Sequence, residues 1–278
     1  MFKPLSSMKV VTLALNLPGP LAAKRLVEQG ATVIKVEPPT GDPFSHYCSE
    51  WYNEINSGQQ IQVVDLKTAK GLQTLSELLS ETDLLLTAQR PAALKRLGLD
   101  WGSLHNQYPQ LNHVAIVGYP EPMEDHAGHD LTYQASLGLV SPPQMPKTLV
   151  ADMAGAEQAA FQALALLMGR KAEQEGRHRL VALSDAAEYM AQPLTQGLTS
   201  KEGLLGGKLP EYSLYETKTG WVAIAALEPH FRIRLQETLK LELLTKATLA
   251  EKLKERDADE WVSWANRHDL PIVKLANV

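Results

Sequence analysis

The sequence predicts an α/β fold, with a doubly wound parallel sheet in a large domain followed by a smaller α+β domain. Three observations carry that prediction. Short β-rich apolar runs alternate with segments of helical periodicity through roughly the first 190 residues, which builds βαβ units and therefore a parallel sheet. A glycine- and proline-containing stretch follows between Gln192 and Leu209, with the composition of a linker. Beyond it the pattern changes to a hairpin and then helices. The expected domains are 1–200 and 201–278.

Lys9 to Leu17 is the first strand. Pro18 to Gln29 has apolar residues at helical spacing and is closed by Gly30, and Thr32 to Val36 is the second strand. Strand, helix and strand at this spacing form a right-handed βαβ unit. Ile61 to Leu66, Asp83 to Ala88, Leu111 to Val117 and His178 to Leu183 read as further strands. Ala69 to Ser80, Pro91 to Leu97, Met153 to Met168 and Ser184 to Met190 read as helices. In the second domain, Tyr212 to Thr217 and Trp221 to Ala226 alternate around Lys218-Thr219-Gly220, a hairpin pattern. Pro229 to Leu239, Leu249 to Arg256 and Asp259 to Arg267 are helical, and Pro271 to Leu275 is a closing extended piece.

Composition narrows the function classes. The 278 residues are 44% hydrophobic and 21% charged, with a net charge of -5 and no Lys/Arg cluster. That balance argues against nucleic acid as a partner, because neutralising phosphates needs a basic face. No run approaches the roughly 20 apolar residues of a membrane span. Lys9 abuts the short apolar core near the amino terminus and no A-x-A-like site follows, so this segment reads as a strand and not a signal peptide. Cys48 is the only cysteine, which rules out an intrachain disulfide and suits a reducing cytoplasm.

The chemistry-bearing stretch is Gly128 to Arg170. It places adjacent His129 and Asp130 before Asp152, which stands at or just before the first turn of the long Ala- and Leu-rich helix. One reading of Asp152 is a helix N-cap, worth about 1 kcal/mol. The other is a carboxylate kept ionised by the positive end of the helix, fit to act as nucleophile or proton acceptor. His126, His129 and Asp130 lie close in sequence, but no third histidine or cysteine joins them, so no metal is expected. Glu37 ends the second strand where dinucleotide folds carry a ribose-binding acid. The preceding turn, Asn16-Leu17-Pro18-Gly19-Pro20, lacks G-x-G-x-x-G, and its prolines have no N–H for a pyrophosphate.

Six blocks in order resemble the class III coenzyme A transferases, and within them the α-methylacyl-CoA racemase branch. They are LPGPLAAKRLVEQGATVIKVEPPTGDP, VVDLKTAKGLQTLSELLSETDLLL, QRPAALKRLGLDWGSL, AGHDLTY, LVADMAGAEQAAFQALALL and YSLYETKTGWVAIAALEPHF. The resemblance implies a CoA thioester substrate, with no permanently bound cofactor, and an interlocked homodimer. It implies Asp152 as the catalytic carboxylate, which in the transferases forms a mixed anhydride with a carboxylic acid acceptor in play. It also implies His129 as the second proton-transfer residue of the racemases, and Glu228 as the acid that racemases bring from the small domain. Arg90, Lys35, Asp130 and Tyr133 are the expected CoA-binding residues, and Gly128 and Gly155 would let backbone N–H groups approach an oxyanion.

Three features depart from the family pattern. Its basic turn after the second strand block reads Asn56-Ser57-Gly58-Gln59-Gln60, without charge. The loop after Val117 is short and carries two prolines and three acids, Glu121, Glu124 and Asp125. The sequence ends at Val278, where family members continue. A non-catalytic binding or scaffold protein on the same fold is the expectation these departures leave open beside the two reactions.

Overall fold

The computed structural model describes residues 2–173 and 175–276. The chain divides into two compact units, Met1–Ala191 and Gln192–Val278.

In the first unit a six-stranded, wholly parallel sheet runs in the order β3-β2-β1-β4-β5-β6. Its strands are β1 (Lys9–Thr12), β2 (Thr32–Glu37), β3 (Gln60–Val63), β4 (Leu84–Thr87), β5 (Asn112–Val117) and β6 (His178–Ala182). The intervening helices are α1 (Pro18–Glu28), α2 (Phe44–Tyr47), α3 (Ser49–Ile55), α4 (Ala69–Leu79), α5 (Pro91–Arg96), α6 (Trp101–Gln107), α7 (Asp130–Ser136), α8 (Val150–Glu173) and α9 (Leu183–Thr195).

Successive side chains of a strand point to opposite faces, and the apolar runs of β1 and β4 fill both faces. Val10, Leu84, Leu86, Val114 and Val181 meet α1 and α8 through Ala22, Ala23, Leu26, Ala159, Ala160 and Ala163. Val11, Val36 and Leu85 meet α4, α5 and α6 through Leu75, Leu79, Leu94 and Leu104 on the other face. The alanines let α1 and α8 lie close on the sheet.

The second unit holds a three-stranded antiparallel sheet of β7 (Tyr212–Glu216), β8 (Trp221–Ala225) and β9 (Ile272–Lys274). Helices α10 (Pro229–Leu239), α11 (Lys246–Leu253) and α12 (Ala258–Arg267) cover one face. Trp261 is its anchor: the indole is fully buried, donates Nε1–H to the Leu253 carbonyl at 2.7 Å, and lies under the Arg256 guanidinium. Burying a Trp with its N–H satisfied is worth several kcal/mol, about 3–5 on truncation to Ala.

Several boundaries differ from the expectation for a physical reason. The long helix starts at Val150 and not at Met153, because its cap comes from Asp130, twenty residues earlier. The helix after β6 continues through Pro193 to Thr195. The short helices α2, α3, α6 and α7 have too few turns to show a period in sequence.

Among the buried polar groups of the sheet is a histidine. His113 of β5 is buried, shares a hydrogen bond with Thr87 Oγ1 at 2.9 Å, and stacks with His178 and Trp101. Burial, then the nearby His178, push its pKa down to about 3. The unfolded chain therefore takes up this proton near the ordinary value of 6.5 while the folded chain refuses it. The stability from neutral His113 is present above pH 6.5 and is lost as pH falls toward 3. His113→Gln, which cannot titrate, is expected to flatten the acid limb of the urea-midpoint curve between those values; an unchanged slope would assign the loss to other groups.

Candidate active site

The sheet order reverses between β1 and β4, and in such sheets ligands bind beyond the carboxyl ends of the strands at the reversal. A cleft of about 480 Å³ occupies that place. Its walls come from Leu15 to Pro18 after β1, Ala88 to Arg90 after β4, and Ile116 to Gly118 at the end of β5. Asp152, His129, His126, Glu124 and Tyr133 complete it.

Asp152 is the third residue of α8 and is partly exposed to the cleft. The capping role is filled by Asp130: its Oδ2 accepts the N–H groups of Ala151 at 2.8 Å and Asp152 at 3.1 Å. The other oxygen, Oδ1, accepts a short hydrogen bond from Gln134 Nε2, which also donates to the Thr148 carbonyl at 2.9 Å. Asp130 is buried and does not line the cleft. Its expected place on a ligand is thus corrected to one beneath the cleft, where it fixes the backbone that carries Asp152.

Burial first, and then the Asp130 charge, push the Asp152 carboxyl up to about 7 from 3.8. The expectation that the helix end keeps it fully ionised is corrected accordingly. A helix N-terminus favours an anion by about 0.3–1 kcal/mol, less than one pKa unit of 1.36 kcal/mol, so burial and the second carboxylate prevail. Near neutrality the group is divided between acid and carboxylate.

Tyr133 of α7 is buried and its hydroxyl has no hydrogen-bond partner among the described residues. The side chain stands so close to Gly118 and Gly128 that a Cβ there would come within 2.6 and 2.4 Å of the hydroxyl. Only glycine fits at either position. Gly155 serves another purpose: a Cβ there would meet Leu183 Cδ2 at 2.3 Å, so it lets α8 and α9 pack and does not line the cleft.

His129, at the N-cap position of α7, is exposed and lines the same cleft as Asp152. Thr132 Oγ1 receives its N–H at 3.1 Å and donates to its carbonyl at 2.7 Å, which fixes its backbone. Arg90 lines the cleft from the first position before α5 and is exposed.

Lys35 does not reach the cleft. It is fully buried, with Nζ 2.6 Å from Asp42 and 2.9 Å from Glu37, and its expected role as a phosphate-holding cation is corrected on that ground. The cluster shapes the cleft indirectly: Asp42 Oδ1 accepts the N–H groups of Asn16 at 3.0 Å and Phe44 at 2.9 Å, and both residues are walls. Asn16 is left-handed, at φ 64°. Neither it nor Gln89, whose Nε2 donates to the Leu13 carbonyl at 2.6 Å, carried a sequence signal beyond Asn tolerating positive φ. The uncharged turn at residues 56–60 is structural: Gln59 Nε2 donates to the carbonyls of Ile55 at 3.0 Å and Pro20 at 3.3 Å.

Glu228 belongs to the second unit, exposed at the N-cap position of α10 with its side chain capping nothing. Among the described residues no three His, Cys, Asp or Glu side chains form a metal-holding group, and no helix is long and apolar enough to cross a membrane.

A family model, CoA-transferase family III, matches residues 5–278. The chain belongs to this family. Among similar proteins is the cinnamoyl-CoA:phenyllactate CoA-transferase of Clostridium sporogenes, 34% identical over 66% of this chain and 50% of that protein. The human alpha-methylacyl-CoA racemase is 29% identical over 82% of this chain and 62% of that protein. This family III chain therefore spans one half to about three fifths of the length of these two relatives. A crystal structure of a hypothetical protein from Mycobacterium tuberculosis superposes with a TM-score of 0.86 at 26% identity, covering 99% of this chain and 85% of that one.

Because the folded pKa of Asp152 lies above its unfolded one, its contribution to stability is full below about pH 3.8 and is lost as pH rises through about 7. Asp152→Asn imitates the protonated group. The variant is expected to melt higher than wild type at pH 8 and to match it near pH 4; equal melting at both would show that the carboxylate is not destabilised by its site.

Proposed function

We propose that this family III chain acts on a CoA thioester, with Asp152 as its central carboxylate. The observation that carries the reading is a carboxyl raised to about 7, facing the cleft at the sheet's topological reversal. A raised pKa makes the ionised form a stronger base and nucleophile while a substantial fraction stays ionised at neutral pH.

In the transfer reaction, a carboxylate oxygen of Asp152 attacks the thioester carbonyl carbon, the C–S bond breaks, and CoA leaves as its thiolate, leaving an acyl-aspartyl anhydride. The thiolate then attacks the aspartyl carbonyl of the anhydride, releasing the first carboxylate and leaving an Asp152–CoA thioester. The acceptor carboxylate attacks that thioester and expels the thiolate, which attacks the acceptor's acyl carbonyl in the new anhydride to give the new acyl-CoA and free Asp152. Tyr133, a buried donor without a partner among the described residues, supports the developing oxyanion, since a preorganised donor costs no rearrangement during the reaction. Arg90 is the cation offered to CoA phosphate.

Racemisation of a 2-methylacyl-CoA is the second reading, favoured by His129 sharing the cleft with Asp152. One removes the α-proton and the other returns it, each from its own face. Glu228 is the further acid of that reading. The family resemblance adds an interlocked homodimer of large and small domains; the linker composition sets these at 1–200 and 201–278, and the lone Cys48 suits a cytoplasmic setting.

Asp152→Asn is expected to lower kcat/KM by roughly 10³-fold or more for either reaction, the order of loss for a removed nucleophile or base. Solvent deuterium entering the α-carbon of a 2-methylacyl-CoA without an acceptor identifies racemisation. Transfer of CoA to an added carboxylate identifies the transferase. Absence of both activities together with no CoA binding by calorimetry would leave the scaffold role.

A further inference from the structure

The second unit carries a hollow of about 850 Å³ whose lining residues all lie between Lys201 and Lys246, whereas the Asp152 cleft is lined by residues 15–183. Its floor is the outward face of the hairpin. Tyr215, Val222 and Ile224 turn into the core, so their neighbours turn away from it: Leu214, paired with Ala223, is 58% exposed, and Tyr212 is paired with Ala225. Tyr212, Leu214, Ala223 and Ala225 line the hollow from that face, joined by Ser213 and Ile224.

The rim is cationic. Lys201, Lys208 and Lys246 line the hollow against one acid, Glu202. Among the described residues none of the three side chains has an ion pair or hydrogen bond, while Lys252, Lys254 and Lys274 of the same unit are paired with Glu255, Glu216 and Asp259. Unpaired ammonium groups gathered around one hollow repel one another, and an anion between them relieves that repulsion.

The wall between rim and floor is a glycine turn. Gly206 lies against the Ser200 carbonyl, where a Cβ would stand at 1.7 Å, and Gly207 is left-handed at φ 96°. The position of a Gly207 Cβ lies 3.8 Å from Ser213 Oγ and 4.0 Å from Lys246 Nζ, so a hydroxyl and an ammonium both stand beside this turn.

We propose that this hollow binds an organic anion with an apolar body, its charged head held by Lys201, Lys208 and Lys246 and its chain laid on the outer face of β7 and β8. The inference goes beyond the thioester reading of Asp152 and does not depend on it. Carboxylates and phosphate esters share the required chemistry.

The test is calorimetry on the full chain with octanoate, octyl phosphate, neutral 1-octanol and inorganic phosphate, paired with amine methylation read by mass spectrometry. One octanoate or octyl phosphate is expected per chain, bound more tightly than octanol or inorganic phosphate, and the tighter of the two names the head group. The double variant Lys208→Gln, Lys246→Gln is expected to weaken it about tenfold, the effect of two charge-assisted hydrogen bonds screened by solvent. In wild type the bound anion is expected to protect Lys201, Lys208 and Lys246 from methylation and to leave the exposed Lys218 and Lys240 reactive, a readout that needs no variant to fold. No binding, octanol binding as tightly as the anions, inorganic phosphate binding as tightly as octyl phosphate, or protection absent from these three lysines would each overturn the proposal.

Discussion

The Asp130 carboxylate accepts the first-turn N–H groups of Ala151 and Asp152, and the geometry of the cleft rests on that contact. The first N–H groups of any helix lack partners, and a buried helix end without them loses more than one hydrogen bond's worth of stability. Here the cap is a charged group held in place by Gln134. It sets where α8 begins and aims Asp152 into the cleft. Its own charge also opposes ionisation of the residue it positions, so one side chain supplies both placement and electrostatics.

The same division of labour recurs across the site. Asp42 and buried Lys35 hold the Asn16 and Phe44 walls without lining the cleft, and Gly118 and Gly128 exist to admit Tyr133. The groups that line the cleft therefore stand on a layer of buried polar contacts. Such contacts are costly to leave half-made, which ties the shape of the cleft to the stability of the first unit.

The sheet was legible because its central strands are buried on both faces and so read as continuous apolar runs between helical periods, as in LLLT of β4 and NHVAIV of β5. The hairpin and α10 were legible for local reasons: Gly220 at φ 89° for the turn, and Pro229 at the first position of the helix. Asp152, His129 and Tyr133 were singled out through residue type and family likeness, and all three line one cleft. Lys35 and Asp130 were misread because a charged residue in sequence looks the same whether it meets solvent, a ligand or a buried partner. What separates them is contact across 7 residues for Lys35 and Asp42, and across 21 and 22 for Asp130 with Ala151 and Asp152. The uncharged Gln59 had likewise a structural meaning, a plug against Ile55 and Pro20, that no local pattern announces.

The relatives include both a CoA-transferase and a racemase, and the proposed readings use the Asp152 carboxylate as a nucleophile in the one and as a proton carrier in the other. The most direct measurement is a carbon-13 NMR titration of the Asp152 side-chain carboxyl in the intact chain. The account predicts a midpoint near 7, raised by burial and by Asp130. A midpoint in the ordinary range near 4 would contradict it, because Asp152 would then be a solvated helix-end acid with no special chemistry.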